Sequence, residues 1–436
     1  MQAVIMAGGK GTRLNAITKD LIPKPMVDIL GRPLLEWQVD GLKRYGITEV
    51  CFIIGHLGET IRRHFGDGSA FGISASYIEE TEPLGTAGAF YYLKDWLKED
   101  CFLLVFGDVY FDIDLGRMLT FHHHKNAAVT LFVHPNSHPS DSDLVVMDQD
   151  ARITAFDSKH NQRDDWYENC VNAGLYVVDS EICDRVRKPE KTDLEKDLLA
   201  GMIVNGENVY GYRSAEYIKD VGTVTRITDT IADIKSGFVS ARCLRNRQKC
   251  IFLDRDGTVN KLKGLLSDID DFVLEDAAAE AIKRVNHSQW LCIVVTNQPV
   301  VARGLCSIEN VERIHRKMAT LLGKEGAYVD DIAYCPHHPD KGYEGENPAF
   351  KIPCHCRKPD TGMLEQCAKK YNIDLERSWI VGDTTVDIQT GINARMHTAL
   401  VMTGEAGRDG KYEVIPEIVG ENLSEVIERI LDTNCL

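Results

Sequence analysis

The fold of the second half of the chain is decided by the stretch Cys250-Ile251-Phe252-Leu253-Asp254-Arg255-Asp256-Gly257-Thr258. Its first four residues have the composition of a short buried strand, and the chain then enters an acidic turn that contains glycine. Residues two apart at the end of a strand can point to the same side, so Asp254 and Asp256 converge. In a parallel sheet this end faces the ligand crevice. The stretch predicts an α/β domain with a carboxylate-based active site.

Similar short apolar runs alternate with helix-length segments along the whole chain. We predict strands at residues 4–6, 50–54, 102–106, 128–133, 174–178, 250–253, 291–295, 379–381 and 398–402. Runs this short and rich in β-branched residues are typical of parallel sheets buried on both faces. The predicted fold class is α/β, with two Rossmann-like domains, each a mostly parallel sheet covered by helices on both faces.

A domain boundary is predicted where a helical pattern ends and a new strand begins. Val224, Ile227, Ile231 and Ile234 recur at helical spacing, and a Ser-Gly pair follows them. A short basic stretch then leads into the strand at 250–253. We expect a first domain at 1–240, a linker at 241–247 and a second domain at 248–436.

Composition and charge exclude several classes of protein. The 436 residues are 44% hydrophobic and 27% charged, which is typical of a soluble chain with two or three domains. The net charge of −16 argues against nucleic-acid binding. No apolar run reaches the roughly 18 residues of a membrane span. The 13 cysteines and the lack of a signal-peptide pattern favour a reducing, cytoplasmic location. The sequence leaves open whether the chain forms a homo-oligomer.

The N-terminal strand leads into a glycine-rich turn, Gly8-Gly9-Lys10-Gly11-Thr12-Arg13. Such a turn lets backbone N–H groups approach phosphate oxygens closely, and Arg13 adds a cationic fork. The alternative is an ordinary tight turn. Lys24 follows, between two prolines that restrict where its ammonium points.

These features resemble the sugar-1-phosphate nucleotidyltransferases over residues 1–235. The resemblance also rests on Leu84-Gly85-Thr86-Ala87-Gly88, Phe106-Gly107-Asp108, Val171-Asn172-Ala173-Gly174, Leu194-Glu195-Lys196-Asp197 and Asp220-Val221-Gly222-Thr223. It implies that a sugar 1-phosphate attacks a nucleoside triphosphate and releases pyrophosphate. By this resemblance the triphosphate contacts Gly8, Gly9, Gly11, Thr12, Arg13 and Lys24, and Arg13 and Lys24 are catalytic. Asp108 and Asp220 would bind Mg²⁺, and Gly85 would contact the base. The sugar phosphate would contact Asn172, Glu195 and Lys196. In the segment Phe156-Asp157-Ser158-Lys159-His160 the chain departs from the Glu-Lys-Pro of many relatives.

The second domain resembles the haloacid dehalogenase phosphatase superfamily. The matching motifs are Asp254-Arg255-Asp256-Gly257-Thr258, Thr296-Asn297-Gln298, Arg357-Lys358-Pro359 and Gly382-Asp383. The resemblance implies that Asp254 is the nucleophile that forms an aspartyl-phosphate, and that Asp256 is the general acid and base. It implies a Mg²⁺ ion held by Asp254, the Asp256 carbonyl and Asp383. Thr296, Asn297, Arg357 and Lys358 would then contact the substrate.

Two close pairs of residues predict a structural zinc site in a loop spanning 335–356. Cys335, His337, Cys354 and Cys356 can close a tetrahedral Zn²⁺ site. Buried free thiols are the alternative, and His338 could replace His337. Pinning this loop would fix Arg357 and Lys358, which follow it directly.

The zinc pattern resembles the D-glycero-D-manno-heptose 1,7-bisphosphate phosphatases, with the histidinol-phosphate phosphatases as rivals. The chain departs from these relatives at Pro299-Val300 and at Thr384, where a lysine is common.

The combination of domains narrows the function further. Removing the 7-phosphate of the bisphosphate leaves heptose 1-phosphate, which a nucleotidyltransferase could activate. The N-terminal half resembles the guanylyltransferases that act on heptose 1-phosphate, which makes GTP the expected donor. Two alternatives stay open: another sugar or nucleotide, and a phosphatase of the histidinol-phosphate type fused to a regulatory nucleotide-binding domain. Retention of Lys24, Asp108 and Asp220 argues against a purely regulatory domain.

Overall fold

The computed structural model describes residues 1–9, 21–163 and 166–433. The chain divides into two compact units. The first consists of Met1–His134, Val145–Asp157 and Asn172–Cys243, and the second of Pro135–Leu144, Ser158–Val171 and Leu244–Leu436. The last change of unit, between Cys243 and Leu244, lies inside the segment predicted as a linker. Among the described residues, no helix has the length and hydrophobicity that a bilayer crossing requires.

The first unit is built from a large sheet and short helices. Strands β1 to β13 are Gln2–Met6, Asp28–Ile29, Arg32–Pro33, Glu49–Ile54, Ser74–Glu79, Cys101–Phe106, Val109–Asp112, Val129–His134, Leu144–Met147, Ile153–Asp157, Val171–Asp179, Val209–Arg213 and Tyr217–Asp220. Helices α1 to α7 are Leu34–Lys43, Gly58–Phe65, Phe90–Leu93, Leu115–Lys125, Ala200–Val204, Val224–Lys235 and Phe238–Arg242.

The large sheet has the order β10-β9-β11-β6-β1-β4-β5, with β8 beside β11 and β12 beside β8. Strand β1 lies between β4 and β6 and is parallel to both. Strand β11 runs antiparallel to β6. Alternate residues of the central strands, such as Ile5 and Val105, pack into one hydrophobic core, and Val4 and Leu104 between them are buried as well. A separate pair, β7 and β13, is antiparallel and places Asp220 opposite Val109, the residue after Asp108.

The second unit is built around a smaller sheet of six strands. Strands β14 to β19 are Lys249–Leu253, Trp290–Asn297, Asp331–Cys335, Trp379–Gly382, His397–Val401 and Ile418–Gly420. Helices α8 to α12 are Ala278–Asn286, Ile308–Lys324, Gly362–Tyr371, Thr385–Asn393 and Leu423–Thr433. The sheet order is β16-β15-β14-β17-β18-β19, and every pairing in it is parallel. The predicted α/β class with mostly parallel sheets is confirmed.

Two segments from the N-terminal half of the sequence pack within the second unit, 135–144 and 158–171. The backbone N–H of Tyr167 donates to Thr320 Oγ1 of α9 at 3.0 Å, and this hydroxyl donates to the Tyr167 carbonyl at 3.2 Å. Pro139 lies so close to Gly323 that an added Cβ there would be 2.4 Å from the proline ring. Sequence periodicity did not predict this packing.

Candidate active sites

The carboxyl ends of β14 and β17 bring two aspartates together in the second unit. The Asp254 N–H donates to the Val381 carbonyl at 2.8 Å, which fixes the turn after β14 against β17. Gly257 has φ +82°, and a Cβ added to it would lie 2.2 Å from Asp383 Oδ2. Only glycine can occupy this position without displacing the Asp383 carboxylate. The acidic turn is therefore shaped around a second aspartate from the neighbouring strand.

Three buried carboxylates form a candidate metal site. Oxygens of Asp254, Asp383 and Asp387 all lie within 4.8 Å of one another. Asp383 Oδ1 is buried without a hydrogen-bond partner among the described residues, while its Oδ2 accepts from the Glu405 N–H at 2.7 Å. Oxygen donors that converge in this way suit Mg²⁺, and an orphaned carboxylate oxygen is a ready ligand. The predicted ligands Asp254 and Asp383 are thus adjacent, and Asp387 joins them.

Burial dominates the electrostatics of this cluster. It raises the pKa of Asp383 to about 8, and the negative charges of Asp254 and Asp387 add to the shift. It also raises the pKa of Asp254 to about 6, although the neighbouring Lys358 acts in the opposite direction. A bound divalent cation would favour the charged form of each carboxylate.

Lys358 provides the positive charge beside the carboxylates. Its Nζ lies 2.8 Å from Asp254 Oδ1 and 2.6 Å from Asp387 Oδ1, and it donates to the Val295 carbonyl at 3.0 Å. Asn297 holds the Lys358 backbone through two hydrogen bonds of 3.0 Å, one to its N–H and one to its carbonyl. Asn297, predicted to contact substrate, therefore also positions this lysine.

The Asp256 carboxylate has different hydrogen-bond partners from those of Asp254. Arg255 donates to both of its oxygens at 2.8 and 2.9 Å, Asn260 donates at 3.0 Å and Gln298 at 2.8 Å. Burial raises the pKa of Asp256, but the Arg255 charge and these hydrogen bonds outweigh it and lower the pKa overall. These contacts thus stabilise the ionised form of the side chain. Its expected contact with a metal, through the main-chain carbonyl, stays a prediction.

One pocket of about 820 Å³ collects the predicted phosphatase residues. This volume lies in the usual range for small-molecule sites. The predicted residues that line it are Asp254, Asp256, Thr296, Asn297, Arg357, Lys358 and Asp383.

Several residues of this site were not predicted. Asp387 had a usable signal: Thr384-x-x-Asp387 is a capping box at the start of α11, and the structure contains both of its hydrogen bonds. Arg255 and Gln298 lie inside the Asp254 and Thr296 motifs, but the sequence does not indicate their contacts with Asp256. His315, whose Nε2 lies 3.2 Å from Arg255 Nη1, comes from the middle of α9 and has no local signal.

The four predicted zinc ligands lie together in the second unit. Donor atoms of Cys335, His337, Cys354 and Cys356 all lie within 4.8 Å of one another. The three sulfurs are 3.2 to 3.5 Å apart, and His337 Nδ1 is 3.3 Å from Cys356 Sγ. Sulfurs bound to one tetrahedral zinc at about 2.3 Å lie about 3.8 Å apart, so the cluster has nearly the required size. Arg357 Nη1 donates to the His337 carbonyl at 3.2 Å, which ties the loop to the pocket.

The first unit contains a second charged cluster. Lys24 Nζ donates to Asp108 and lies 3.8 Å from Asp220 Oδ1. Asp108 precedes β7 and Asp220 ends β13, so their pairing fixes the separation of the two carboxylates. Arg226 is paired with the other oxygen of Asp220. The structure thus brings Lys24, Asp108 and Asp220 together, with the ammonium between carboxylates whose oxygens also suit Mg²⁺.

The beginning of the glycine-rich turn lies beside an unexpected acid. A Cβ on Gly8 would be 2.9 Å from Glu80 Oε2, whereas a Cβ on Gly9 would meet nothing within 4 Å. Glu80 Oε1 is buried without a partner among the described residues. Burial raises the pKa of Glu80 to about 7, although a hydrogen bond from the Leu84 backbone lowers it. The predicted residues Gly11, Thr12 and Arg13 lie outside the described residues.

Gly85 is held by close backbone packing. It has φ +80°, and an added Cβ would lie 2.5 Å from the Thr192 carbonyl oxygen. Thr192 also donates to the Leu84 carbonyl at 2.9 Å and accepts from the Ala87 N–H at 3.0 Å. The backbone conformation and the close contact with Thr192 therefore require glycine at this position, apart from the predicted contact with a base.

Two of the predicted sugar-phosphate residues meet and the third does not. Asn172 Nδ2 donates to Glu195, and the Tyr176 hydroxyl donates to Glu195 Oε1 at 3.0 Å. Lys196 is exposed on the same turn, and its backbone N–H, not its ammonium, is bonded to Asp193. In the segment 156–160, which departs from the Glu-Lys-Pro of many relatives, Lys159 does not join Asn172 and Glu195. Its Nζ instead pairs with Asp141 at 3.1 Å within the second unit.

Comparison with known proteins identifies the family of the first unit. Residues 2–237 match the family model of the nucleotidyl transferases. The chain is 31% identical over 249 residues to a mannose-1-phosphate guanylyltransferase of Mycobacterium tuberculosis, covering 57% of this chain and 68% of that protein.

The second unit is similar to HAD-like hydrolases and, over a longer stretch, to heptose-bisphosphate phosphatases. Residues 355–426 match the HAD-hydrolase-like family model. Over 168 residues the chain is 40% identical to a D-glycero-beta-D-manno-heptose-1,7-bisphosphate 7-phosphatase of Pasteurella multocida, covering 38% of this chain and 89% of that protein. The corresponding enzyme of Haemophilus influenzae is 38% identical over 184 residues, covering 42% of this chain and 96% of that protein. The chain therefore belongs to the nucleotidyl transferase family through residues 2–237 and to the heptose-bisphosphate 7-phosphatase family of HAD-like hydrolases through its C-terminal part.

Proposed function

We propose that the chain carries out two consecutive steps toward a nucleotide-activated heptose. The second unit removes the 7-phosphate of D-glycero-D-manno-heptose 1,7-bisphosphate, and the first unit then transfers GMP from GTP to the heptose 1-phosphate. The observation that carries the proposal is the presence in one chain of two phosphoryl-transfer clusters, one around Asp254 and one around Lys24. The names of the relatives supply the sugar. We assign both reactions to the cytoplasm, where nucleoside triphosphates are made.

The phosphatase step follows from the contacts of two aspartates. Asp254 Oδ attacks the 7-phosphorus and the sugar alkoxide leaves, which gives an aspartyl-phosphate. Asp256 accepts a proton from the water that later releases phosphate, a role that suits a carboxylate held ionised by Arg255. For the first step Asp256 takes up a proton from solvent and gives it to the leaving alkoxide, which returns it to the ionised form that Arg255 stabilises. Lys358, hydrogen-bonded to Asp254, neutralises charge on the phosphoryl oxygens.

Mg²⁺ bound by Asp254, Asp383 and the Asp256 carbonyl would neutralise charge on the phosphoryl group. The orphaned oxygen of Asp383 supports this assignment. Asp387 holds Lys358 and is assigned a positioning role. Asp108 and Asp220 are the corresponding Mg²⁺ ligands of the nucleotidyltransferase.

The nucleotidyltransferase step needs no covalent enzyme intermediate. An oxygen of the sugar 1-phosphate attacks the α-phosphorus, and pyrophosphate leaves. Positioning and charge neutralisation carry the rate, which suits the half-buried Lys24. Gly8, Gly9, Gly11, Thr12 and Arg13 are assigned to the triphosphate. Asn172 and Glu195 are assigned to the sugar.

Glu80 supports GTP as the nucleotide. The ionised Glu80 carboxylate accepts hydrogen bonds only, and the Watson–Crick edge of guanine offers two adjacent N–H donors, N1–H and N2–H. Two such donors favour the ionised form, against the burial that raises the pKa to about 7. No other common base presents two donors side by side. Glu80 has Oε2 beside Gly8 and an unpartnered buried Oε1, and it lies near the loop of Gly85, where the base is expected.

We infer that Cys335, His337, Cys354 and Cys356 hold a structural zinc ion. All four ligand positions are filled by protein atoms, which leaves no open position for a reacting water. The ion would fix Arg357 through the His337 carbonyl. Its task is therefore to shape the substrate pocket.

One incubation tests the proposal. The enzyme is mixed with heptose 1,7-bisphosphate and each of GTP, ATP, CTP and UTP, and the products are identified by mass spectrometry. We expect GDP-heptose, phosphate and pyrophosphate in the GTP reaction. A nucleotide sugar formed with another triphosphate would overturn the assignment to GTP, and the absence of phosphate release would overturn the assignment to heptose bisphosphate. Phosphate release with no nucleotide sugar from any triphosphate would favour a regulatory first unit.

A further inference from the structure

One wall of the phosphatase pocket is a loop with two cations that have no acidic partner. Arg408 and Lys411 both line the pocket and are exposed. Neither forms an ion pair with a described residue. Lys358, in the depth of the same pocket, is by contrast fully engaged by two carboxylates. The loop therefore offers free positive charge to a ligand.

The backbone of this loop is fixed to the floor of the pocket. The Asp409 carboxylate accepts from the Thr385 N–H and from the Thr385 hydroxyl, each at 2.7 Å. The Gly407 N–H donates to the Asp383 carbonyl at 2.7 Å, and the Glu405 N–H donates to the Asp383 carboxylate at 2.7 Å. The two cations are thus carried by a segment whose backbone is hydrogen-bonded to the predicted Mg²⁺ ligand, so their Cα positions are fixed relative to it.

The contacts of Asp409 and the size of the pocket limit where an anion can meet these cations. Asp409 already occupies the N–H of Thr385 at the start of α11, so this helix end does not bind the ligand itself. The reacting phosphate is assigned to Asp254 and Lys358, away from the exposed rim. The pocket, at about 820 Å³, has room for a much larger molecule than one phosphate group.

Charge makes a local cation site necessary for a substrate with two phosphates. The chain has a net charge of −16, and the pocket also contains Asp340 and Glu405. A second phosphate would be repelled by this field unless nearby cations neutralised it. Arginine and lysine are the side chains that proteins use for this purpose.

We propose that Arg408 and Lys411 bind the phosphate that is not transferred and so select sugar bisphosphates over sugar monophosphates. The inference rests on the proposed phosphatase function and adds a specificity site to it. In the proposed reaction this group is the 1-phosphate, which the enzyme leaves on the sugar.

Kinetics of single and double alanine variants test the inference. Arg408→Ala, Lys411→Ala and the double variant are assayed with heptose 1,7-bisphosphate, fructose 1,6-bisphosphate and p-nitrophenyl phosphate. We expect kcat/KM for heptose bisphosphate to fall about tenfold for each single variant and further for the double variant. Activity toward p-nitrophenyl phosphate should not change, because it has only the phosphate that reacts. Arg377→Ala, an exposed arginine outside this pocket, is the matched control.

The outcomes separate this inference from the proposed function. If heptose bisphosphate is not hydrolysed but fructose bisphosphate is, with the expected dependence on the two cations, the substrate assignment fails and the specificity site stands. Equal loss on bisphosphate and p-nitrophenyl phosphate would mean that the cations support the fold, and the inference would be wrong. It would also be wrong if the wild-type enzyme showed no preference for bisphosphates, or if the double variant retained full activity on them.

Discussion

Lys358 shows how three carboxylates can share one buried site. Its ammonium lies between Asp254 and Asp387, so the cluster carries one compensating charge before any metal binds. Burial lowers the pKa of Lys358, but the two carboxylates outweigh it and raise the pKa overall. The lysine therefore stays charged. Its orientation depends on Asp387, a residue that does not itself react.

Asp387→Asn tests this positioning role. The substitution keeps the shape but removes the charge that holds Lys358, and it weakens the cap from the Thr384 hydroxyl. We expect phosphatase kcat to fall about 10- to 100-fold, the usual cost of losing such a supporting contact. Nucleotidyl transfer should be unaffected. Asp270→Asn, an exposed acid of the same unit, is the control. Unchanged phosphatase kinetics would rule out the role.

His315 predicts a pH dependence of stability. Burial and then the Arg255 charge lower its pKa from 6.5 to about 3, with Asp256 opposing them. Below pH 6.5 the unfolded chain gains a proton on this residue while the folded chain does not. Stability is therefore full above pH 6.5 and is lost as the pH falls toward 3.

His315→Gln should remove this dependence, because glutamine offers Arg255 an acceptor and does not titrate. We expect the loss of unfolding free energy between pH 7 and pH 5 to be about 2 kcal/mol smaller in the variant. Urea unfolding at the two pH values measures it. An identical loss in both proteins would show that His315 takes up its proton as readily in the folded chain as in the unfolded chain.

The residues that sequence reasoning found and missed differ in a physical way. Asp254 and Asp383 follow apolar strands, so a local pattern predicts where they lie. His315 and Arg255 meet only because α9 packs under the acidic turn, and no local pattern encodes that contact. Asp387 is an intermediate case, because the sequence shows its capping box but not its contact with Lys358.

At the scale of elements, strands were the easiest features to predict. The nine predicted runs all coincide with strands, because an apolar run buried on both faces leaves little ambiguity. The helix at Val224–Lys235 is also confirmed. The packing of 135–144 and 158–171 in the second unit was not predicted, since it depends on Thr320 and Gly323 far along the chain.

The zinc loop provides a prediction at this scale. Elemental analysis should find one zinc ion per chain, and Cys354→Ala should abolish it. Because the loop holds Arg357, we expect phosphatase kcat/KM to fall more than tenfold while nucleotidyl transfer persists. Cys306→Ala, a free cysteine outside the cluster, should keep both zinc and activity. Full phosphatase activity in zinc-free protein would contradict the structural role.

At the scale of the whole molecule, two units handle highly charged substrates in a chain that is itself acidic. Each unit supplies its own local cations, Lys24 in one and Lys358 in the other. The chemistry of each cluster is complete within its own unit, so inactivating one should not inactivate the other. We therefore expect Asp254→Asn to abolish phosphate release and Lys24→Ala to lower pyrophosphate release at least about 100-fold.

The order of the two reactions is the central claim, and one time course tests it most directly. Wild-type enzyme, Asp254→Asn and Lys24→Ala are each incubated with heptose 1,7-bisphosphate, GTP and Mg²⁺, and the sugars are followed by mass spectrometry. Wild type should form GDP-heptose, and Lys24→Ala should stop at heptose 1-phosphate. Asp254→Asn should leave the bisphosphate unchanged and should form GDP-heptose only from added heptose 1-phosphate. A nucleotide-linked heptose that still carries its 7-phosphate, accumulating with Asp254→Asn, would contradict the proposed order.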